Sequence, residues 1–521
     1  MGEDSSCRAA GFGSTDHVAV NPGYARRVRT HLISLGRQSL VYGLSGAVLQ
    51  LVGLVTLPVY ARHFSPAQYG VIELASVTFA ALIIAEDAGL GAAMQREYFD
   101  TPDDDREGRV AVTSTATTAS VVLAAVIAVP MIVAREPLAR WLFHDSGYSD
   151  VVVVVALSAA MGTFAIFLRD IMRLRFQPWR FAFSALLAGV VAAAVGVIWV
   201  VWFDGGVTAV MVGFLAGQTA SALYGLAAVR GFIGWRFSWR LLRRLGAFGL
   251  PLVPAGAALW GVAFFDRVLL SRLDGLASVG EYAVGTRFAS VLFFVIGAFG
   301  TAYIPFLYST HADEPERELA LRARILTYGS VLFVGIGLAL ALCAREIASI
   351  IAPDFDRAYT IVGILCLGVA AFGLTPITSA GITIARQTKY AMRYAGAAVV
   401  VSVGLCVILI PTIGLVGAAI ATAFGYATLA VLSLLRSQTL SRAEFQLGKV
   451  GKVFLLGGAL MPVGLLHLSS EAATIAAKMI AFVVFVAGLW LLGIFGRVES
   501  TELRAAMTAL RGREARELPP A

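Results

Sequence analysis

Apolar residues run along this chain in blocks of membrane-crossing length, each closed by a short polar stretch, and do not alternate as in a half-buried strand. A helix needs about 20 apolar residues to cross ~30 Å of hydrocarbon. Fourteen such runs are readable: 40–61, 71–92, 111–134, 151–168, 181–203, 207–229, 245–270, 282–307, 326–344, 359–384, 391–410, 414–435, 453–468 and 473–495. The fourth and thirteenth are the shortest. Fourteen spans take up roughly 300 of the 521 positions. What remains suffices for tails and loops and leaves no room for an attached soluble enzyme domain. The predicted class is an all-α integral membrane protein.

Composition supports this: 58% of residues are hydrophobic and 14% charged, against about 25% charged in a soluble domain. Mean hydropathy is +0.79. A net charge of +8 would suggest nucleic acid in a soluble protein, but the distribution of the charge says otherwise. Of the 41 lysines and arginines, 32 fall in the tails and in alternate polar segments, those after the even-numbered runs. The other nine (Arg62, Arg135, Arg140, Arg267, Arg272, Arg287, Arg345, Arg357 and Lys478) lie in or beside the opposite set. That asymmetry predicts that both termini are cytoplasmic, and no nucleic-acid partner is expected. Residues 1–25 are polar and rich in Gly and Ser, residues 26–38 suit the membrane surface, and 499–516 suit a solvated helix. No cleavable signal peptide is read. Four cysteines without a CxxC pair and six scattered histidines suggest neither a metal site nor a disulfide framework.

The chain also repeats itself. Tyr42-Gly43-Leu44 matches Phe248-Gly249-Leu250 at an offset of 206, Gln177–Arg180 matches Gln387–Tyr390 at 210, and Gly206–Val210 matches Gly414–Ala418 at 208. Six helices separate the copies, so both halves have the same orientation and are related by an axis along the membrane normal. The expected organisation is a tail (1–38), a six-helix bundle (39–230), a second six-helix bundle (245–435), two further helices (450–496) and a second tail (497–521). Two such bundles around a cavity are the framework of an alternating-access transporter. Pro251 and Pro254, opening the seventh span, are the hinge candidates, since each removes a backbone hydrogen bond. Trp199, Trp202, Trp235 and Trp239 sit at span ends as interfacial aromatics do, and Trp260, inside a span, suits core packing better than sugar stacking.

Several stretches carry a family resemblance. LPVYARHFSPAQYGVIELA and EDAGLGAAMQREY in the first half are followed in order by AFGLPLVPAGAALW, FFDRVLLSRLDGLASVGEYAVGTRFAS, IPFLYS and QTKYAMRYAGAAVVVSVGLCVILIPTIGLVGAAIAT. Between residues 39 and 435 the chain thereby resembles Wzx-type polysaccharide flippases of the multidrug/oligosaccharidyl-lipid/polysaccharide exporter superfamily. The resemblance implies the two-bundle fold, a bacterial inner-membrane location and export of a polyprenyl-diphosphate-linked oligosaccharide. It also implies membrane lipids, a polysaccharide polymerase and chain-length machinery as partners. The arginine-rich first helix of the peptidoglycan-precursor flippases is not evident.

Such a substrate sets the chemistry. A diphosphate crossing hydrocarbon needs a wet cavity with cations, and arginine binds phosphate bidentately while staying charged. Arg267, Arg287, Arg62 and Arg272 are therefore the substrate-binding candidates, with Arg62 and Arg272 equivalent in the repeat. Asp266, Glu73 and Asp87 are the candidates for a coupling H+ or Na+, because a carboxylate inside a membrane is costly unless it has a function. The plainer expectation pairs Glu73 with Arg62 and Asp266 with Arg287. No other cofactor is expected, and without a GxxxxGK[ST] loop direct ATP drive is not. Two alternatives stand beside the flippase. A multidrug or cation antiporter on the same fold would favour acidic and aromatic linings over arginines. A membrane polymerase or ligase would need a catalytic loop larger than the external segment at 135–150.

Overall fold

The computed structural model describes residues 52–494 apart from 235, 386 and 388. Both tails, the first part of the first span, Trp235 and Arg386 lie outside the described residues, as do the expectations placed on them. Every described element is helical.

The local signals are ordinary ones. After α1 (52–63), Ser65 caps α2 (Pro66–Asp87) with a reciprocal capping box to Gln68 and a proline in the first turn. Past a left-handed turn at Ala88 and Gly89 comes α3 (Leu90–Asp100). The Asp105 carboxylate accepts from the Gly108 N–H (2.8 Å) to start α4 (Arg106–Val133), and α5 (Arg135–Phe143) lies in the loop that follows. Next come α6 (Ser149–Leu174), α7 (Pro178–Phe203) and α8 (Gly206–Val229). The second half opens with α9 (Trp239–Gly249), capped by Ser238, a 3-10 turn at Leu250–Leu252, and α10 (Val253–Leu273). This span bends by 48° between Trp239–Ala258 and Trp260–Leu273, a few residues beyond Pro254. The long helices α11 (Leu276–Asp313) and α12 (Pro315–Ile351) follow. The tenth span is broken into α13 (Val362–Gly373), α14 (Thr375–Thr378) and α15 (Ala380–Ile384), with Pro376 in the break. Then come α16 (Lys389–Leu440), α17 (Leu447–Leu460) and α18 (Glu471–Leu491).

Eleven described helices are long and apolar enough to cross a membrane, and the bent α9–α10 pair makes a twelfth span. Within α16, Gly414 has non-helical angles (φ 54°, ψ −130°), and Gly425 lies against Ala398 and Ser402, so α16 is two spans folded on each other. With α1 as the end of the first, each of the fourteen runs read from the sequence has a helical counterpart. Gly414 is where the repeat string begins, and its angles exclude a side chain at low cost. A Cβ there would also lie 2.7 Å from Asp274 Oδ2. Gly414→Ala is therefore expected to lower stability by about 1–3 kcal/mol, read as a lower unfolding midpoint in detergent.

The repeat is visible as reciprocal contacts between the halves, on the face away from the arginine-rich loops. A Cβ on Gly70 would fall 2.0 Å from the Leu276 carbonyl, and one on Gly280 would fall 1.9 Å from the Pro66 carbonyl. Both residues of the second contact are displaced by 210 positions from those of the first. Arg62 donates to the Ile350 carbonyl (2.7 Å), and Arg272 donates to the Trp141 carbonyl. Arg272 is likewise 210 positions from Arg62, and Ile350 is 209 from Trp141. On the arginine-rich face, Gly89 meets Gly249 backbone to backbone, and Arg244 bridges to Glu97 at 3.1 Å. Thus α2 touches the second half near both of its ends. The last two helices pack on α12, with Gly457 against Val334 and Lys478 paired to Glu346.

Candidate functional site: two cavities joined at Arg287

Two cavities lie inside the helical framework and share Ser76 and Arg287 in their walls. The first, about 550 Å³, lies between α2, α10, α11, α13 and the second arm of α16. The second, about 520 Å³, lies in the first half between α1, α2, α6, α7 and α8. Volumes of this size are typical of small-molecule sites.

A buried charge cluster forms one wall of the first cavity. Arg267 donates through Nε to Glu73 Oε1 (2.8 Å), and through Nη1 to Asp266 Oδ1 (2.9 Å) and the Ala263 carbonyl (2.6 Å). Asp266 is filled on its other side, where Oδ2 accepts from the Tyr282 hydroxyl (2.5 Å) and the Thr422 hydroxyl (2.8 Å). The Arg267 guanidinium also sits 5.3 Å from the ring centres of Phe264 and Tyr282. Every member of this cluster is buried, which is tolerable only because each charge meets an opposite one at hydrogen-bond distance.

Arg287 behaves differently. Its side chain is 43% exposed, and its nearest carboxylate oxygen, Glu73 Oε2, is 3.9 Å away, beyond hydrogen-bond reach. It shares the wall of the second cavity with Tyr69, and a guanidinium has five N–H donors to offer at the wall common to both cavities. The first cavity is completed by Thr286, Ser290 and the rings of Phe293, Phe372 and Tyr426.

The structure thus brings four of the sequence candidates together: Arg267, Arg287, Asp266 and Glu73. The ion pairs differ from the plain expectation. Glu73 pairs with Arg267 and not with Arg62, and Asp266 pairs with Arg267 and not with Arg287. Arg62 and Arg272 line neither cavity, since each guanidinium is used on a carbonyl of the other half. Asp87 lies at the far end of α2, where it accepts from the Gly89 and Gly91 N–H groups (3.0 Å each) and borders a smaller cavity of about 260 Å³. Trp260 packs on α2, with its indole N–H toward the Val77 carbonyl (3.4 Å). Pro251 lies in the 3-10 turn and Pro254 in the first turn of α10, just before the 48° bend.

One site feature was missed in the sequence. Arg169 lines the second cavity, although its position at the end of the fourth apolar run had placed it with the loop arginines. The signal was the shortness of that run, which the structure extends as α6 to Leu174. Glu86, wholly buried, accepts from the Thr163 hydroxyl (2.6 Å) through Oε2 while Oε1 has no hydrogen-bond partner among the described residues.

Two helical halves of like orientation around charged cavities define a multi-pass membrane protein built like an alternating-access transporter. Residues 35–311 match the family described as polysaccharide biosynthesis protein, and the chain belongs to that family. A curated relative, an uncharacterised membrane protein of Methanocaldococcus jannaschii, is 25% identical over 272 residues, 50% of this chain. The match spans about half (52%) of that relative's length. Among solved structures, the lipid II flippase MurJ in an inward closed conformation superposes with a TM-score of 0.68 at 12% identity, covering 88% of this chain and all of that one. An inward-facing multidrug resistance MATE transporter superposes with a TM-score of 0.63 at 18% identity, covering 75% and 94%. A third relative in fold, from Pyrococcus furiosus, is described by a reversed polarity of its binding pocket (TM-score 0.55, 17% identity, 78% and 95% covered). These likenesses establish that the chain shares its fold with the MurJ flippase and the MATE transporters.

Proposed function

We propose that this protein is a flippase that moves a polyprenyl-diphosphate-linked oligosaccharide from the inner to the outer leaflet of the bacterial cytoplasmic membrane by alternating access. In this reading the arginine-rich face is cytoplasmic, and the bundles 39–230 and 245–435 rock about the cavities they enclose. The protein is a transporter and not an enzyme. Polymerase and chain-length machinery act on what it delivers.

One observation carries the reading: Arg287, half-exposed at the wall shared by two interior cavities, with its nearest carboxylate at 3.9 Å. A guanidinium so placed binds a diphosphate by paired N–H···O bonds. Family membership supplies the glycan context.

A cation antiporter is the second reading, and the aromatic rings and carboxylates of the first cavity favour it. Against it, both carboxylates are already hydrogen-bonded to Arg267. For the same reason a coupling H+ or Na+ at Asp266 or Glu73 requires Arg267 to move, so ion coupling belongs to a different conformation of this cluster. Asp87, held by two backbone N–H groups, is the coupling candidate that Arg267 does not occupy.

The test is the sidedness of lipid-linked oligosaccharide in cells depleted of the protein and complemented with variants. Depletion is expected to trap intermediates on the cytoplasmic leaflet. Arg287→Ala is expected to restore transport at least about tenfold less well than the unsubstituted protein, equivalent to ~1.4 kcal/mol of lost binding. Its unfolding midpoint should stay close to that of the unsubstituted protein, and Arg287→Lys should recover part of the activity. Unchanged sidedness with accumulation of cationic dyes would decide for the antiporter.

A further inference from the structure

We propose that the cavity of the first half is a second anion subsite, in which Arg169 binds an acidic sugar of the glycan while Arg287 holds the diphosphate. The inference rests on the flippase reading and adds to it the class of glycan.

The two cavities differ in charge. The wall of the first carries two arginines and two carboxylates, Arg267, Arg287, Glu73 and Asp266. The wall of the second carries Arg169 and Arg287 and, among its described lining residues, no carboxylate. The carboxylates of the first face Arg267 and, at 3.9 Å, Arg287, whereas in the second Arg169 meets no lining carboxylate.

Arg169 is built into this wall, and among the described residues no carboxylate hydrogen-bonds to it. It donates through Nη1 to the Ser221 hydroxyl on α8 (2.8 Å), which in turn bonds to Ser184 on α7 (2.9 Å), and both serines are fully buried. Two hydroxyls fix the guanidinium in place and leave its charge intact. The adjacent carboxylate, Asp170, does not line the cavity. It bonds to Arg173 (2.8 Å) and lies beside Gly91 on α3. A guanidinium inside a membrane-spanning helix is costly unless it meets an anion. The planar fork of arginine suits a carboxylate as well as it suits phosphate. Around it, Thr56, Tyr60, Tyr69 and Gln218 offer the hydroxyl and amide groups that sugar hydroxyls bind.

A uronic acid is the simplest group with this chemistry, since it sets a carboxylate on a sugar ring. Both arginines acting on one diphosphate is the competing use, and charge count alone does not separate the two. A matched pair of substrates does. Polyprenyl-diphosphate disaccharides that differ only at C6 of one sugar, glucose against glucuronate at the first or the second position, are flipped by the protein in proteoliposomes. The ratio of acidic to neutral flipping is read. The unsubstituted protein is expected to favour a glucuronate form, and Arg169→Gln to lower the ratio about tenfold, as the loss of one charge-assisted pair does. Arg287→Ala is expected to lower both rates together. Arg169→Lys, which keeps the charge without the fork, should give an intermediate ratio and serves if the Gln variant does not fold. A ratio unmoved by both Arg169 variants while both rates fall assigns Arg169 to the diphosphate and overturns the proposal. A ratio and rates unmoved overturn it too. If the unsubstituted protein flips neither substrate, the flippase reading fails first and takes the subsite with it.

Discussion

Arg267→Met is expected to destabilise the protein by about 3–5 kcal/mol, the cost of leaving buried charges without their partner. Methionine fills much of the volume of the arginine stem, so the loss is electrostatic in origin. Without Arg267, Glu73 keeps only the 3.9 Å approach of Arg287, and Asp266 keeps two hydroxyl donors and its own backbone neighbour's N–H. Two carboxylates would then share one distant cation in an apolar interior. The measurement is the unfolding midpoint in detergent, made in two backgrounds. In the unsubstituted background the fall should be large. With Glu73→Gln and Asp266→Asn already present, the same Arg267→Met step should cost less than about 1 kcal/mol, because no orphaned charge remains. Equal losses in the two backgrounds would falsify the ion-cluster account and point to packing against Phe264 and Tyr282 instead.

The second large effect is expected at the glycines where the halves touch. Gly280→Ala puts a Cβ 1.9 Å from the Pro66 carbonyl, and Gly70→Ala puts one 2.0 Å from the Leu276 carbonyl. Both obstacles are backbone, which cannot swing away as a side chain would. Closure on the face away from the arginine-rich loops is therefore penalised, and the population shifts toward conformers open there. Gly249→Ala does the reverse, since its Cβ meets the Gly89 carbonyl at 2.6 Å on the arginine-rich face. The check uses a cysteine at Ser290, in the wall of the first cavity, in a chain whose native cysteines have been removed. Labelling by an impermeant maleimide from the far face should rise about tenfold or more in Gly280→Ala, matching a shift of at least ~1.4 kcal/mol in the open–closed balance. Transport should fall in both variants, since each favours one side of the cycle. Equal labelling in Gly280→Ala and Gly249→Ala would show that these contacts do not govern access.

Much of the architecture was readable because it rests on local signals. Apolar runs gave the spans, Pro251 and Pro254 stand just before the bend of the seventh, and the Gly414 repeat string fell on the fold of α16. The arginine asymmetry was readable too, because each loop charge counts independently. The site was readable only in part. Composition flagged Arg267, Arg287, Asp266 and Glu73 as charges inside apolar runs, yet their pairing depends on α2 and α10 meeting, 194 residues apart for Glu73 and Arg267. Nothing local records that contact. Arg62 and Arg272 went undeciphered for a different reason: each is bound to a carbonyl, which any residue type provides and no sequence pattern marks. Arg169 was hidden because an arginine one residue past an apolar run looks the same whether the helix stops there or continues to Leu174.

The crossed arginine contacts say something about the origin of the interface. Arg62 reaches from the first half to Ile350 in the second, and Arg272 reaches from the second half to Trp141 in the first. This is the isologous arrangement of a two-fold dimer, in which residue i meets j and j meets i. A single six-helix unit that met a copy of itself would gain two such bonds from one arginine. The single chain therefore has the interface logic of a fused homodimer. Its asymmetry, by contrast, lies in the cavities, where Arg267 of one half is hydrogen-bonded to two carboxylates and Arg169 of the other to a serine.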